Sequence, residues 1–220
     1  MNEIASTFNA KIAKTSFELL QQKDPDALKD VVYPNTYSSV MLKMPQGIAI
    51  CPMRYRLRPF NSDQEVPSKY NLYNARIEGI EQKKTWAPLL GKKHVAVPIK
   101  KFHEWVPTDK GKKVVQFYMP DQELFWAAGI YDIWKSPETE EQIVSFALVT
   151  QAPNEYIENI GHDRCPVILS NDEVNSWLNI HEVPKALSFL TKPREYNLTH
   201  EWEDPLFTIA QQAKNAKMEQ

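Results

Sequence analysis

Sixteen prolines against only six glycines set the strongest limit on what this 220-residue chain can fold into. Proline fixes φ and lacks an amide hydrogen, so at this density it argues against long helices and calls for many turns and irregular crossings. The stretches between the prolines are short and apolar, and several alternate in the manner of half-buried strands, residues 143–150 among them. The fold class this predicts is α+β: a β-rich domain with a central twisted antiparallel or mixed sheet and short peripheral helices. The length suits one domain or two small ones. With no internal repeat, low-complexity tract or linker, a single domain over 1–220 is expected, with a polar tail from about residue 206.

A net charge of −2 provides no global basic field, so any nucleic-acid contact has to use a local patch. The two cysteines, Cys51 and Cys165, lie far apart, no apolar stretch approaches a membrane span, and the N-terminus lacks the order of a signal peptide. A reduced cytoplasmic compartment is therefore expected, in which the Asn197-Leu198-Thr199 sequon is irrelevant.

Along the chain, residues 4–22 carry interrupted helical spacing, with Thr15 and Glu18 reading as a capping box. Asp24-Pro25 predicts a helical turn or two over 26–32. Residues 39–43 and 47–51 flank a Pro45-Gln46-Gly47 turn. In 53–58, arginines stand at every second position. A strand there would put Arg54, Arg56 and Arg58 on one face and Met53, Tyr55 and Leu57 on the other. That face is either a solvated edge that resists aggregation or a local anion-binding strip. Further strands are expected over 94–99, 114–119, 124–133 and 143–150, with a hairpin at Asp109-Lys110-Gly111. A helix capped by Asn171 and another over 184–190 follow.

The chain has no glycine-rich phosphate loop, no Gly-x-Ser-x-Gly elbow, no Cys-x-x-Cys and no His-Glu-x-x-His. His103, Glu104 and His162 lack a fixed ligand spacing, so no metal or other cofactor is expected. His162-Asp163-Arg164 stands between two apolar runs, where an imidazole either handles protons at a surface cleft or caps a turn. Glu104, between Phe102 and Trp105, is either a partly desolvated general acid or a surface partner of Lys100 or Lys101. Asn74 either orients a substrate or closes a turn. Cys165 and His162 are near enough in sequence for a thiol hydrolase, with Arg164 lowering the thiol pKa.

Taken in order, these segments resemble one family. Asn74-Ala75-Arg76-Ile77-Glu78 is similar to the Asn-Ala-Arg-x-Glu motif of the SOS response-associated peptidase (SRAP) family. Residues 97–105 resemble its Ile-Pro-x-x-Gly-Phe-Tyr-Glu-Trp strand, and 125–134 its Phe-Ala-Gly-Leu-Trp-x-x-Trp strand. Leu148-Val149-Thr150 through His162-Asp163-Arg164-Cys165-Pro166-Val167-Ile168-Leu169 resembles its closing Thr-Thr…His-Asp-Arg-Met-Pro-x-Ile-Leu. Residues 53–59 stand where it has Met-Arg-Trp-Gly-Leu-Ile-Pro. The likeness covers about residues 33–180.

What the resemblance implies is a DNA-damage protein of the SOS response that binds single-stranded DNA at abasic sites, crosslinks to them covalently, and has autopeptidase activity. The family's nucleophile is a cysteine after the initiator methionine, whose thiol and α-amine trap the sugar aldehyde as a thiazolidine. Asn74, Glu104 and His162 match its catalytic residues, and Arg54, Tyr55, Arg76 and Arg164 match its DNA contacts. The implied partner is single-stranded or abasic-site DNA, with no membrane and a monomeric chain. The chain departs from the pattern at Asn2, where the cysteine belongs, and at Glu3-Ile4, in place of Gly-Arg. Met1 is expected to stay, and without the thiol no thiazolidine forms. A reversible imine with the Met1 amine, and a non-catalytic interaction module, stand beside the crosslinking activity. Tyr55 replaces tryptophan, and Arg56 and Lys101 replace glycines.

Overall fold

The computed structural model describes residues 1–28, 31–109 and 111–203. They fall into two compact units, one of Met1–Pro98, Trp126–Thr150 and Pro166–Lys192, the other of Ile99–Phe125, Gln151–Cys165 and the described residues from Pro193 on. The fold is α+β and dominated by sheet, with a few short helices. No helix among the described residues is long and apolar enough to cross a membrane.

The first unit is built on strands Gly47–Tyr55, Tyr37–Met44, His94–Ile99, Phe125–Lys135 and Gln142–Gln151, neighbours in that order. The last two of these pair antiparallel, and the end of Gly47–Tyr55 returns to pair parallel with Gln142–Gln151, Arg54 opposite Ser145 and Tyr55 opposite Phe146. The five strands thus close into a barrel. Alternation fills its interior with Val40, Leu42, Met53, Val95, Val97 and Phe146. A short parallel strand, Asn74–Arg76, extends the Gln142–Gln151 edge, with Asn74 opposite Leu148. Helix Asn171–Leu178 is started by a full capping box between Ser170 and Glu173. It buries Trp177, whose ring stacks on His94 at 3.7 Å.

The second unit is a three-stranded antiparallel sheet, Thr199–Trp202, Gly111–Tyr118 and Lys101–Thr108 in spatial order, with helix Glu155–Ile160. Phe102 stacks on Phe117 at 5.1 Å, and Phe125 meets Phe102 edge-on at 6.4 Å.

The hairpin at 44–47, the strands from 94 onward and both C-terminal helices stand within a few residues of their expected places. Several local expectations do not. Asp24 does not start a helix: it ends Lys14–Lys23, its carboxylate turns back to the amide of Asp26, and Leu28 makes a single bridge to Tyr37. Ala13, not Thr15, precedes helix Lys14–Lys23, and no side chain caps it. The cap of the 171–178 helix is Ser170 rather than Asn171. The strand expected through the arginines stops at Tyr55, because Arg56 turns to φ +103°. The solvated-edge reading of that face fails too, since the strand is paired on both sides there and Arg56 is buried. The polar tail and Lys110 lie outside the described residues.

Closure of the barrel leaves no room at Gly129. A Cβ there would stand 2.8 Å from Val95 Cγ2 and 3.0 Å from the Ala147 carbonyl oxygen. Gly129→Ala is expected to destabilise the protein by about 1–3 kcal/mol through overpacking. Urea denaturation followed by tryptophan fluorescence reads this as a lower midpoint, and an unchanged midpoint would show that the wall yields.

Candidate active site

In the first unit, Tyr55 and Asn74 come together because their strands lie along the same edge of Gln142–Gln151, opposite Phe146 and Leu148. Tyr55 stacks on Phe146 at 5.1 Å and turns its hydroxyl to Asn74 Oδ1 at 3.4 Å. The Asn74 carboxamide is therefore held by a phenol on a fixed strand rather than closing a turn. Two residues on, Arg76 is exposed. Arg54 is largely enclosed and makes a two-pronged pair with Glu65, at 2.9 and 3.0 Å. Sequence reasoning had no means of finding Glu65, which lies in a stretch without regular secondary structure.

In the second unit, Glu104 and His162 meet, His162 Nε2 standing 3.1 Å from Glu104 Oε2. Each is placed by local rules. Along Lys101–Thr108, Glu104 shares a face with Phe102 and Val106, both buried, so its carboxyl points into apolar surroundings. His162 follows helix Glu155–Ile160, whose start is capped by Asn154 accepting from the Ile157 amide. That helix ends on Gly161 at φ +103°, a conformation that suits glycine, and the His162 amide then bonds back to the Ile157 carbonyl. The sequence pattern did not reveal this helix, although Asn154 and Gly161 are a cap and a stop at helical spacing.

Although 24 % of the Glu104 side chain is exposed, its carboxyl is packed in protein. Burial pushes its pKa up to about 8, and the neighbouring Asp163 carboxylate adds to the shift. At neutral pH the pair therefore carries a protonated carboxyl. The imidazole suits this. Its Nδ1 stands 2.8 Å from the Arg164 carbonyl and 3.2 Å from the Arg164 amide. Both contacts of Nδ1 are with the Arg164 backbone, so Nε2 is the nitrogen that shares a hydrogen with the Glu104 carboxyl. Glu104 does not take Lys100 as its partner: Lys100 pairs with Glu123 at 2.6 Å.

The thiol reading fails on geometry. Cys165 is fully buried, its Sγ faces the Ala152 carbonyl and the Tyr196 hydroxyl at 3.7 Å, and burial raises its pKa. Both ring nitrogens of His162 are engaged elsewhere. Cys51 is pushed up to about 11 by burial, so neither sulfur is a ready thiolate. Among the described residues no three His, Cys, Asp or Glu side chains are grouped to hold a metal ion.

Comparison with known proteins gives these residues a context. The chain is 32 % identical over 137 residues to the abasic site processing protein YoqW of Bacillus subtilis, covering 61 % of this chain and 59 % of that protein. It is 30 % identical over 185 residues to the abasic site processing protein HMCES of Xenopus tropicalis, covering 74 % of this chain and 54 % of that one. The chain thus spans little more than half the length of these relatives. In fold it is similar to the crystal structure of a Bacteroides thetaiotaomicron protein, with a TM-score of 0.74 at 20 % identity over 94 % of this chain and 90 % of that one. A Bordetella bronchiseptica structure has a TM-score of 0.66 at 19 % identity, over 79 % and 86 %. The model of the SOS response associated peptidase (SRAP) family matches residues 2–203, from the first helix through the last described strand, and the chain belongs to that family.

Proposed function

We propose that this protein binds single-stranded DNA at abasic sites and handles protons there with Glu104 and His162. The observation that carries this reading is an enclosed carboxyl 3.1 Å from an imidazole nitrogen, its pKa pushed up by burial, in a member of a family whose relatives are named abasic site processing proteins. An abasic sugar exposes an aldehyde when its ring opens. An amine that adds to the aldehyde forms a carbinolamine, and loss of its hydroxyl as water requires a proton donor at neutral pH. Glu104 is tuned to donate that proton and, as the carboxylate left behind, to take it back in the reverse step, while His162 Nε2, 3.1 Å away, shares a hydrogen with the carboxyl. Asn74, fixed by Tyr55, orients the sugar. The exposed Arg76, with Arg54, Tyr55 and Arg164, holds the strand. Position 2 carries asparagine, whose carboxamide cannot close a thiazolidine, so stable crosslinking is not part of this proposal. The setting it implies is the cytoplasm, at the nucleoid of a cell responding to DNA damage, with the protein acting as a monomer.

Three measurements test this reading. On a native gel, an oligonucleotide with one abasic site should be retarded. A denaturing gel of the same mixture should show an adduct only after borohydride reduction, and no retardation at all would sink the proposal. Arg76→Ala should weaken binding evenly across sequences and reduce the slope of log affinity against log salt by about one, whereas an unaltered slope would remove Arg76 from the interface. Glu104→Gln should change the pH dependence of stability. In the native protein Glu104 keeps a proton that the unfolded chain has released, from the ordinary glutamate range up to about pH 8. Stability therefore falls as pH rises through that window, by at most about 1.4 kcal/mol per pH unit. The glutamine variant should lose that slope, gaining on the parent through that window and keeping a constant advantage above pH 8. Parallel curves for the two proteins would show that Glu104 titrates normally.

A further inference from the structure

By sequence, the three arginines of 54–58 suit either a solvated face or an anion strip, and the structure gives them a shared focus. Arg54 makes its two-pronged pair with Glu65, while Arg56 Nη1 stands 3.8 Å from Glu65 Oε1 and Arg58 Nη1 3.6 Å from Oε2. One carboxylate thus faces three guanidinium groups. Their exposures differ sharply: the arginine side chains are 11, 8 and 11 % exposed, and Glu65 is 38 % exposed. Enclosed cations in excess over their anion are costly unless further negative charge completes them. The other contacts are neutral: Arg56 donates to Asn35 Oδ1 and to the Val66 carbonyl, and the Arg58 guanidinium lies 3.3 Å over the Trp134 ring. Among the described residues, Arg54 Nε and Arg58 Nε are buried with no hydrogen-bond acceptor. Arg56 also holds φ +103°, where side chains are strained, to bring its guanidinium here.

We infer that Arg54, Arg56 and Arg58 form a phosphate-binding site in which the Glu65 carboxylate stands in for the ligand. A carboxylate offers two oxygens and one charge. A terminal phosphate offers more of both, and successive phosphodiesters along a strand supply them together, enough to meet three forks and the two bare Nε atoms. Glu65 belongs to an irregular, partly exposed stretch, so its exchange for a phosphate disrupts no strand. Glu65 is then an internal competitor that sets how strongly an outside phosphate must bind. The site stands on its own geometry. Only its natural source of phosphate, the backbone of a nucleic-acid strand, rests on the function proposed above.

The test is titration of the full chain with pyrophosphate and, separately, with an undamaged single-stranded oligonucleotide, read by calorimetry. Glu65→Gln should tighten pyrophosphate binding at least tenfold over the parent. Adding Arg56→Gly, which suits the φ at that position, should abolish the gain. A folded Glu65→Gln protein with unchanged pyrophosphate affinity would overturn the inference and leave a closed ion-pair cluster. Should Glu65→Gln not fold, Glu65→Asp is measured instead, because its shorter reach weakens the stand-in. Tighter pyrophosphate binding then supports the site and unchanged binding overturns it. If the oligonucleotide gains in parallel, the strand is the source. If pyrophosphate gains while no variant binds the oligonucleotide, the site stands with free phosphate as its ligand, and the strand-binding reading is what fails.

Discussion

Parallel pairing of Tyr55 with Phe146, and of Asn74 with Leu148, lays two separate segments along the edge of a single strand. Much of the first unit depends on that register. It closes the barrel, stacks Tyr55 on Phe146, and sets the tyrosine hydroxyl against Asn74. It also ends the strand, because the Arg56 amide bonds to the Phe146 carbonyl as the backbone turns to φ +103°. A slip of one residue would turn Met53 and Phe146 out of the barrel interior, so burial of those two side chains protects the register.

The two units treat enclosed charge in opposite ways. In the second, burial opposes ionisation of Glu104, the nearby Asp163 strengthens that effect, and the result is a proton kept on a carboxyl near neutral pH. In the first, arginine cannot escape by losing its proton. Three guanidinium groups therefore stay charged and gather around Glu65. A titratable group yields a proton donor under such pressure, whereas a permanently charged one yields an attraction for anions.

The parts legible in the sequence were those set by short-range chemistry. Alternation found the strands around 94–99, 125–135 and 142–151, and the apolar neighbours of Glu104 foretold its desolvation. The motif order drew Asn74, Glu104 and His162 out of a chain where each alone read as bland. Local signals that compete mislead. Asp24-Pro25 reads as a helix start, but its carboxylate closes a turn instead. Asn154 and Gly161 frame a helix of six residues, too short to show a clear apolar period.

The sequence by itself determined the class of fold, the strands, and the residue types able to handle protons and phosphates, because proline, alternation and side-chain chemistry act over a few residues. Only the tertiary structure decided which of those residues meet. Glu65 joins three arginines from an irregular stretch, His162 turns to Glu104 and away from Cys165, and Tyr55 finds Asn74 nineteen residues on. Such meetings depend on strand register and burial, which are set by packing between segments far apart in the chain and leave no periodic mark in any one of them.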